Sequence, residues 1–251
     1  MDSILYMEGG LLVMRPPKPR FSILKGVCMN HFKTTSLDRG MRIDGFSERS
    51  GLVDLILPDT IDGIPVVEIG NAAFAGNTTL KTVSFPKHLE VIGNDAFAGC
   101  SALIEFKAPD SLKHIGSFAF SECRSLKKVT LPDGFQSLDH MTFYMCENLT
   151  TVRLPRIFRV IATNAFKCCI KLKNINLDEN MVLVMSDAFA FCDALTDVFF
   201  RNQDVTIEQN AFMRLETVLT FHCEEGSNAD YYAKNAYEKG KIKVEYFNKK
   251  D

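Results

Sequence analysis

Cysteine is the residue type in this sequence whose spacing could most readily support chemistry. Five of the eight cysteines recur at intervals of 23 residues, and they are Cys100, Cys123, Cys146, Cys169 and Cys192. A thiolate is a nucleophile and a zinc ligand, so such a row could serve a redox, catalytic or metal-binding role. Zinc sites, however, use close pairs such as CxxC, and the sequence contains none. The wide, regular interval instead indicates one place in a structural repeat.

Disulfide bonds between the recurring cysteines are not expected. Equivalent side chains in stacked coils lie about 4.8 Å apart and point the same way, whereas a disulfide needs Cβ atoms about 3.5–4.5 Å apart. We therefore expect buried free thiols that pack as small apolar side chains. Cys168 precedes Cys169, and alternation turns it away from the core, which makes Cys168 the candidate for redox chemistry. Cys28 and Cys223 lie in the flanking regions and could pair with each other.

Histidine does not form a catalytic or metal-binding pattern. The five histidines fall at different places in the 23-residue period, and they are His31, His88, His114, His140 and His222. The sequence also has no phosphate-binding glycine loop, nucleophile elbow or paired-carboxylate motif. It therefore predicts a protein that is not an enzyme, with no cofactor and no metal. A thiol-dependent enzyme that uses Cys168 or Cys169 stays open as an alternative.

Phenylalanine defines the repeat that positions these residues. It recurs at 23-residue intervals without insertion or deletion, at Phe74, Phe97, Phe120, Phe143, Phe166, Phe189 and Phe212. An apolar residue stands five residues before each of them, and others stand six and nine residues after. One such coil cannot bury its apolar face alone, but stacked coils bury it between neighbours. The sequence therefore predicts a repeat solenoid with a row of phenylalanines through its centre.

Each coil contains three predicted parts. LKTVSFP (residues 80–86) alternates apolar and polar residues as a half-buried strand does, and its proline ends the strand because it has no N–H to donate. HLEVIG (88–93) predicts a second, short extended segment on the opposite side. NDAFAGC (94–100) predicts a tight helical or 3₁₀ turn that points its phenylalanine inward. The glycines before this turn are expected to adopt a backbone conformation unfavourable for other residues, and they are Gly70, Gly93 and Gly116.

The ends of the chain depart from the repeat and predict domain boundaries. We assign residues 1–30 to a poorly structured segment, 31–65 to an N-terminal cap, 66–223 to the solenoid and 224–251 to a C-terminal helix–strand cap. The N-terminal cap contains a predicted hairpin with its turn at residues 38–40. It also contains an entry coil with five extra residues.

The C-terminal cap begins with a predicted amphipathic helix. Its inward positions are Ala229, Tyr232, Ala233, Ala236 and Tyr237. Ser227 or Asn228 is expected to cap its start and Gly240 its end. KIKVEYF (241–247) then alternates as a final edge strand.

Composition excludes two functional classes and favours one compartment. The formal net charge of −2 and the pI of about 6.2 argue against a general nucleic-acid binder. The sequence contains no run of 18 or more apolar residues, so it predicts no membrane-spanning helix. Residues 1–20 lack the basic start, continuous apolar stretch and cleavage site of a secretory signal. Together with free thiols, which suit a reducing compartment, this favours an intracellular protein.

Three segments of the sequence resemble the BspA-like class of leucine-rich repeats. They are LILPDTIDGIPVVEIGNAAFAG (55–76), LEVIGNDAFAGCSALIEFKAPDSLKHIGSFAFSECRSLKKVTLP (89–132) and CEEGSNADYYAKNAYEKGKIKVEY (223–246). The resemblance extends over about residues 32–247. It implies an α/β repeat solenoid, a right-handed leucine-rich-repeat superhelix of seven 23-residue repeats with N- and C-terminal caps. It also implies adhesion or partner binding, often on microbial surfaces, and no catalytic residues; no anchoring module is visible in the sequence.

The outward positions of the strands are the candidate binding face. One column runs from Thr82 to Thr220 and the next from Ser84 to His222 at 23-residue steps. The ten candidate contact residues are Glu105, Lys107, Lys128, Thr130, Thr151, Arg153, Asn174, Asn176, Asp197 and Phe199. Phe199 is expected to be an exposed aromatic of the kind that anchors interfaces. The leading hypothesis is a scaffold that binds a protein, a peptide or a glycan through this face.

Charge is distributed unevenly next to the candidate face. Residues 148–177 contain six cations and no acid, and residues 178–208 contain seven acids and one cation. The two bands could steer a partner or stabilise contacts between coils. Two other readings stay open: that the face is only a solvated surface, and that the solenoid has a structural role in which its end strands pair between chains.

Overall fold

The chain winds into a solenoid of stacked coils. The computed structural model describes residues 5–8, 11–14, 32–46, 51–236 and 240–247. It contains about nine turns of about 23 residues, mostly strand with little helix. The predicted repeat solenoid is therefore confirmed. Its seven phenylalanine-marked coils lie between an entry coil and a C-terminal strand.

The N-terminal part contains two antiparallel hairpins. In the segment predicted to be poorly structured, β1 (Leu5–Glu8) pairs with β2 (Leu11–Met14); the remainder of residues 1–31 lies outside the described residues. β3 (Phe32–Leu37) and β4 (Gly40–Phe46) form the second hairpin, around the predicted turn.

The entry coil accommodates its additional residues in a tight hairpin. It consists of β5 (Asp54–Ile56), β6 (Thr60–Ile61) and β7 (Ile64–Ile69). β6 and β7 pair antiparallel around Asp62 and Gly63, which both have positive φ. β7 also pairs in parallel with β4 and so joins the cap to the solenoid.

Each following coil contributes two short strands. They are β8 (Thr82–Ser84), β9 (Val91–Ile92), β10 (Glu105–Lys107), β11 (His114–Ile115), β12 (Lys128–Thr130), β13 (Ser137–Leu138), β14 (Thr151–Arg153), β15 (Val160–Ile161), β16 (Asn174–Leu177), β17 (Leu183–Val184), β18 (Asp197–Phe200) and β19 (Thr206–Ile207). The even-numbered strands are the predicted main strands. The odd-numbered ones are the predicted second segments.

The C-terminal cap consists of β20 (Leu219–Cys223), α1 (Asn228–Asn235) and β21 (Ile242–Tyr246). The Ser227 side chain accepts a hydrogen bond from the Asp230 N–H at 3.3 Å, as predicted for a helix cap. The predicted helix end at Gly240 is wrong. The helix ends at Asn235 and Ala236 is its C-cap. There the Asn235 side-chain amide donates a hydrogen bond to the Tyr231 carbonyl at 2.8 Å, which pairs one of the carbonyls left free at the helix end. Tyr237 lies outside the described residues.

Parallel pairing assembles the strands into sheets on two sides of the solenoid. On the first side, the sheets run β5–β8, β10–β12–β14 and β16–β18–β20–β21. We call the outer surface of these strands the strand-lined face. On the second side, the sheets run β3–β4–β7–β9–β11 and β13–β15–β17–β19. Every coil therefore presents one longer strand to the strand-lined face.

The seven phenylalanines stack through the centre as predicted. Consecutive ring centroids lie 5.1–5.6 Å apart and their planes differ by 5–15°. The five interior rings, from Phe97 to Phe189, have no exposed surface. This stack and the apolar columns around it form one continuous core.

The turn around each phenylalanine differs from the sequence prediction in its backbone. The positive-φ residues lie mostly two residues before or after the phenylalanine, as Phe118 and Glu122 flank Phe120. The glycines predicted to need such angles do not have them, so that prediction is wrong. Gly93 is small for a different reason: a Cβ there would lie 2.5 Å from Asn71 Oδ1. That oxygen accepts the Asn94 N–H at 2.8 Å, so glycine makes room for a side-chain bond between coils.

Candidate binding face

The main strands place the two predicted columns on the strand-lined face. In each strand a central apolar side chain points inward, as Phe106 and Val129 do with no exposed surface. The residues on either side point outward, because successive side chains of a strand alternate between faces. In-register pairing aligns Glu105 with Lys128 and Thr151, and Lys107 with Thr130 and Arg153.

The first group of the face lies on β10, β12 and β14. It consists of Glu105, Lys107, Lys128, Thr130, Thr151 and Arg153. Lys128 Nζ lies 3.3 Å from Glu105 Oε1, and Arg153 Nη2 donates to Asp133 Oδ1 at 3.0 Å. Such exposed pairs are each worth less than about 1 kcal/mol, so a ligand could displace them. Within the described ranges, Lys107 has no hydrogen-bond or ion-pair partner.

The second group lies on β16 and β18 and consists of Asn174, Asn176, Asp197 and Phe199. Asn174 and Asn176 are exposed. Phe199 stacks on His222 of β20, with ring centroids 4.2 Å apart and planes 9° apart. Phe199 is therefore half-buried rather than exposed, because His222 covers one face of its ring.

His222 links the second group to the C-terminal strand. Its Nε2 lies 2.8 Å from Asp197 Oδ1, and its Nδ1 lies 3.5 Å from Glu245 Oε2 on β21. The His222 bond, followed by a 2.7 Å bond from the Thr196 hydroxyl, lowers the pKa of Asp197. Asp197 is thus an ionised, oriented acceptor on the face near neutral pH.

The ten candidate residues form two groups rather than one row. No strand bridge joins β14 to β16 among the described residues, so the sheet is interrupted between the groups. His222 was not among the ten, although it follows Phe199 in the same column at the 23-residue step. Asp133 gave no comparable signal, because it belongs to a turn and reaches the face only through Arg153.

The repeat geometry agrees with a comparison to known families. A model of BspA-type leucine-rich repeat regions matches residues 44–155, 67–196 and 139–249, with six copies. The chain belongs to the BspA-type leucine-rich-repeat family. The resemblance predicted from the sequence motifs is thereby confirmed.

Solved structures of bacterial leucine-rich repeat proteins resemble this BspA-type chain. The leucine-rich repeat protein of T. pallidum is 28% identical with a TM-score of 0.67, and the match covers 79% of this chain and 86% of that one. A leucine-rich repeat protein from Eubacterium ventriosum is 22% identical with a TM-score of 0.62, over 73% of this chain and 50% of that one. A search of curated proteins finds no match.

The recurring cysteines of this BspA-type chain belong to its core. Each thiol donates to the carbonyl of a phenylalanine 26 residues earlier, as Cys123 does to Phe97 at 3.3 Å. Burial raises the pKa of Cys100 to about 12 and that of Cys123 well above its ordinary value. Alternation predicted that Cys168 turns away from the core; its side chain is half-buried, and burial raises its pKa also. Cys223 is buried, and Cys28 lies outside the described residues.

The charge bands make few direct contacts with each other. Lys167 Nζ lies 2.9 Å from Asp187 Oδ2 and ties adjacent coils, whereas Arg156 and Lys173 are exposed. Across the described part of the chain, no cluster of three or more His, Cys, Asp or Glu side chains could hold a metal ion. No described helix has the length and apolar character to cross a bilayer.

Proposed function

We propose that this BspA-type chain is a non-catalytic scaffold that binds a protein or peptide partner through its strand-lined face. The observation that carries the proposal is the contrast between the two sides of each main strand. The inward residue is apolar in every coil, because stacking requires it. The outward residues change from coil to coil between acid, base, amide and aromatic.

The first group supplies charge to the proposed interface. Its outward cations are held in exposed pairs or, at Lys107, in none, so their long side chains can reorient toward an acidic partner segment. Contacts between opposite charges of this kind raise the rate of association and the specificity for a partner more than they raise the binding affinity.

The second group supplies an anchor. Phe199 and His222 present a flat, rigid stack whose position is fixed by Asp197 and Glu245. Rigid aromatic side chains cost little entropy on binding and are enriched among residues that dominate binding energy. The exposed amides of Asn174 and Asn176 lie beside the stack and can bond a partner backbone.

The proposal is tested with a triple variant, Lys128→Glu, Arg153→Glu and Phe199→Ala. Partners captured by the intact chain are identified and their dissociation constants measured with both proteins purified. We expect at least about tenfold weaker binding, since losing an aromatic anchor alone typically costs more than about 1 kcal/mol. The matched control reverses two charges on the second side, Lys113→Glu and Arg159→Glu, and should leave binding unchanged.

The experiment also discriminates between partner classes. Binding that resists the triple variant, or that falls equally in the control, rules out the strand-lined face. Capture of glycans rather than proteins, at the same face, would overturn the partner class but keep the face.

A further inference from the structure

Among the described strands, the C-terminal strand β21 forms one edge of the strand-lined sheet. It is the last strand of its sheet, and no described strand pairs with its outer edge. The Lys241 carbonyl accepts from the Leu219 N–H at 2.9 Å, and the Phe247 N–H donates to the Cys223 carbonyl at 3.1 Å. Odd-numbered residues therefore direct their backbone groups toward β20. By alternation, Ile242, Val244 and Tyr246 direct theirs outward.

The side chains of β21 are self-complementary about Val244. Lys243 and Glu245 are exposed on the strand-lined face, and Ile242 and Val244 are half-buried on the inner face. If a second β21 pairs antiparallel with Val244 opposite Val244, then Ile242 lies opposite Tyr246 and Lys243 opposite Glu245. On the inner face, apolar and aromatic side chains thus lie opposite each other, and on the strand-lined face each positive charge lies opposite a negative one.

The hydrogen-bonding geometry supports the same register. Val244 opposite Val244 is a hydrogen-bonded pair, since both residues direct their N–H and carbonyl outward. Lys243 opposite Glu245 is then a non-hydrogen-bonded pair. Side chains approach most closely in pairs of this kind, so the two opposite charges interact directly.

We propose that two copies of this chain associate through β21, in an antiparallel, two-fold symmetric pairing centred on Val244. Isologous two-fold contacts are the commonest kind in homo-oligomers. The pairing joins two sheets into one, in the order β16–β18–β20–β21 followed by the same strands of the second copy in reverse.

Two edge strands at the other end of the described solenoid, β5 and β3, lack this complementarity. Antiparallel pairing of β5 about Leu55 would place Asp54 opposite Ile56. β3 carries Lys33 but no acid. Charge complementarity therefore favours β21 over β3 and β5 as the contact between copies.

The pairing would double the strand-lined face. A two-fold axis perpendicular to the joined sheet keeps both faces on one side, with the Phe199–His222 stack of each copy on β18 and β20, directly inside β21. Two faces held together can bind a repetitive partner with greater avidity than one. The association does not require a partner, because its contacts between copies lie on β21; Glu245 is shared with the proposed binding face, since it also lies 3.5 Å from His222 Nδ1.

Sedimentation velocity of the full chain over a range of micromolar concentrations tests the proposal. We expect a reversible monomer–dimer equilibrium that weakens with added salt. Lys243→Glu and Glu245→Lys should each raise the dimer dissociation constant about tenfold, because each places like charges opposite each other twice. The double variant should restore the original value, since the charges are then only exchanged. Lys127→Glu, an exposed charge reversal away from β21, should have no effect.

Three results would overturn the proposal. They are a monomer at every concentration, a dimer that neither single reversal weakens, and a double variant that stays as weak as the single ones. Circular dichroism of each variant shows whether the chain is still folded, and both substituted side chains are exposed. A dimer with no partner-binding activity would refute the proposed function and leave this inference intact.

Discussion

At the scale of single residues, the recurring cysteine is chosen by a hydrogen bond as well as by size. All five side chains are fully buried, and their thiols donate to phenylalanine carbonyls at 3.2–3.3 Å. In the first coil Asn77 occupies the same place, and its Oδ1 accepts the Leu80 N–H at 3.1 Å. In the last coil the place belongs to Leu215, which is buried without a polar group. The position therefore accepts small and medium-sized side chains, and its side chain forms a hydrogen bond with the backbone in six of the seven coils.

Burial predicts how these thiols react. Because it raises their pKa above that of an exposed thiol, the folded chain holds less thiolate near neutral pH than the unfolded chain does. In native-state alkylation followed by mass spectrometry, we expect Cys168 to react first and the five recurring cysteines to react only as the chain opens. Labelling in denaturant, where all should react alike, is the control. Rapid native labelling of Cys169 would instead favour the thiol-enzyme alternative.

At the scale of elements, periodicity predicted the strands because it reports which side of a coil is buried. The columns of the candidate binding face followed directly, since a 23-residue step keeps a side chain on the same side. The turns were predicted less well. Left-handed angles at Phe118 and Met141 have no signal in residue type, because the stacked coils impose them on large apolar residues.

The Phe199–His222 stack shows the corresponding limit at the candidate site. Sequence placed both residues in one column, 23 residues apart. Whether a ring lies open or stacked depends on its side-chain rotamer and on its neighbour, and neither follows from spacing.

Gly93→Ala tests the close approach between coils. The added Cβ would lie 2.5 Å from Asn71 Oδ1 and 2.8 Å from the Asn71 backbone nitrogen, which cannot easily move. We expect unfolding to become easier by about 1–3 kcal/mol, as for other overpacked sites, measured by urea denaturation. Gly134→Ala is the matched control, because a Cβ there meets nothing within 4 Å. An equal effect of the two substitutions would show that backbone entropy, and not crowding against Asn71, accounts for the change in stability at position 93.

At the scale of the whole molecule, three interruptions divide the sheets of the described solenoid. The strand-lined side is interrupted between β8 and β10 and between β14 and β16, and the second side between β11 and β13. Phe143 lies in the chain between the last two of these interruptions, and the phenylalanine stack crosses all three without a gap. Side-chain packing therefore carries the connection where backbone pairing does not.

Phe143→Ala should accordingly weaken the middle of the solenoid more than its ends. Removing a fully buried ring costs about 3–5 kcal/mol, and in a nearest-neighbour array the loss falls first on adjacent coils. We expect faster amide hydrogen exchange in β12–β17, with protection retained in β4–β7 and β20–β21. Phe199→Ala, which removes a half-buried surface ring, should leave the pattern unchanged. An equal loss of protection in every coil would mean that the stack unfolds as a single cooperative unit, and that the interruptions in pairing have no energetic consequence.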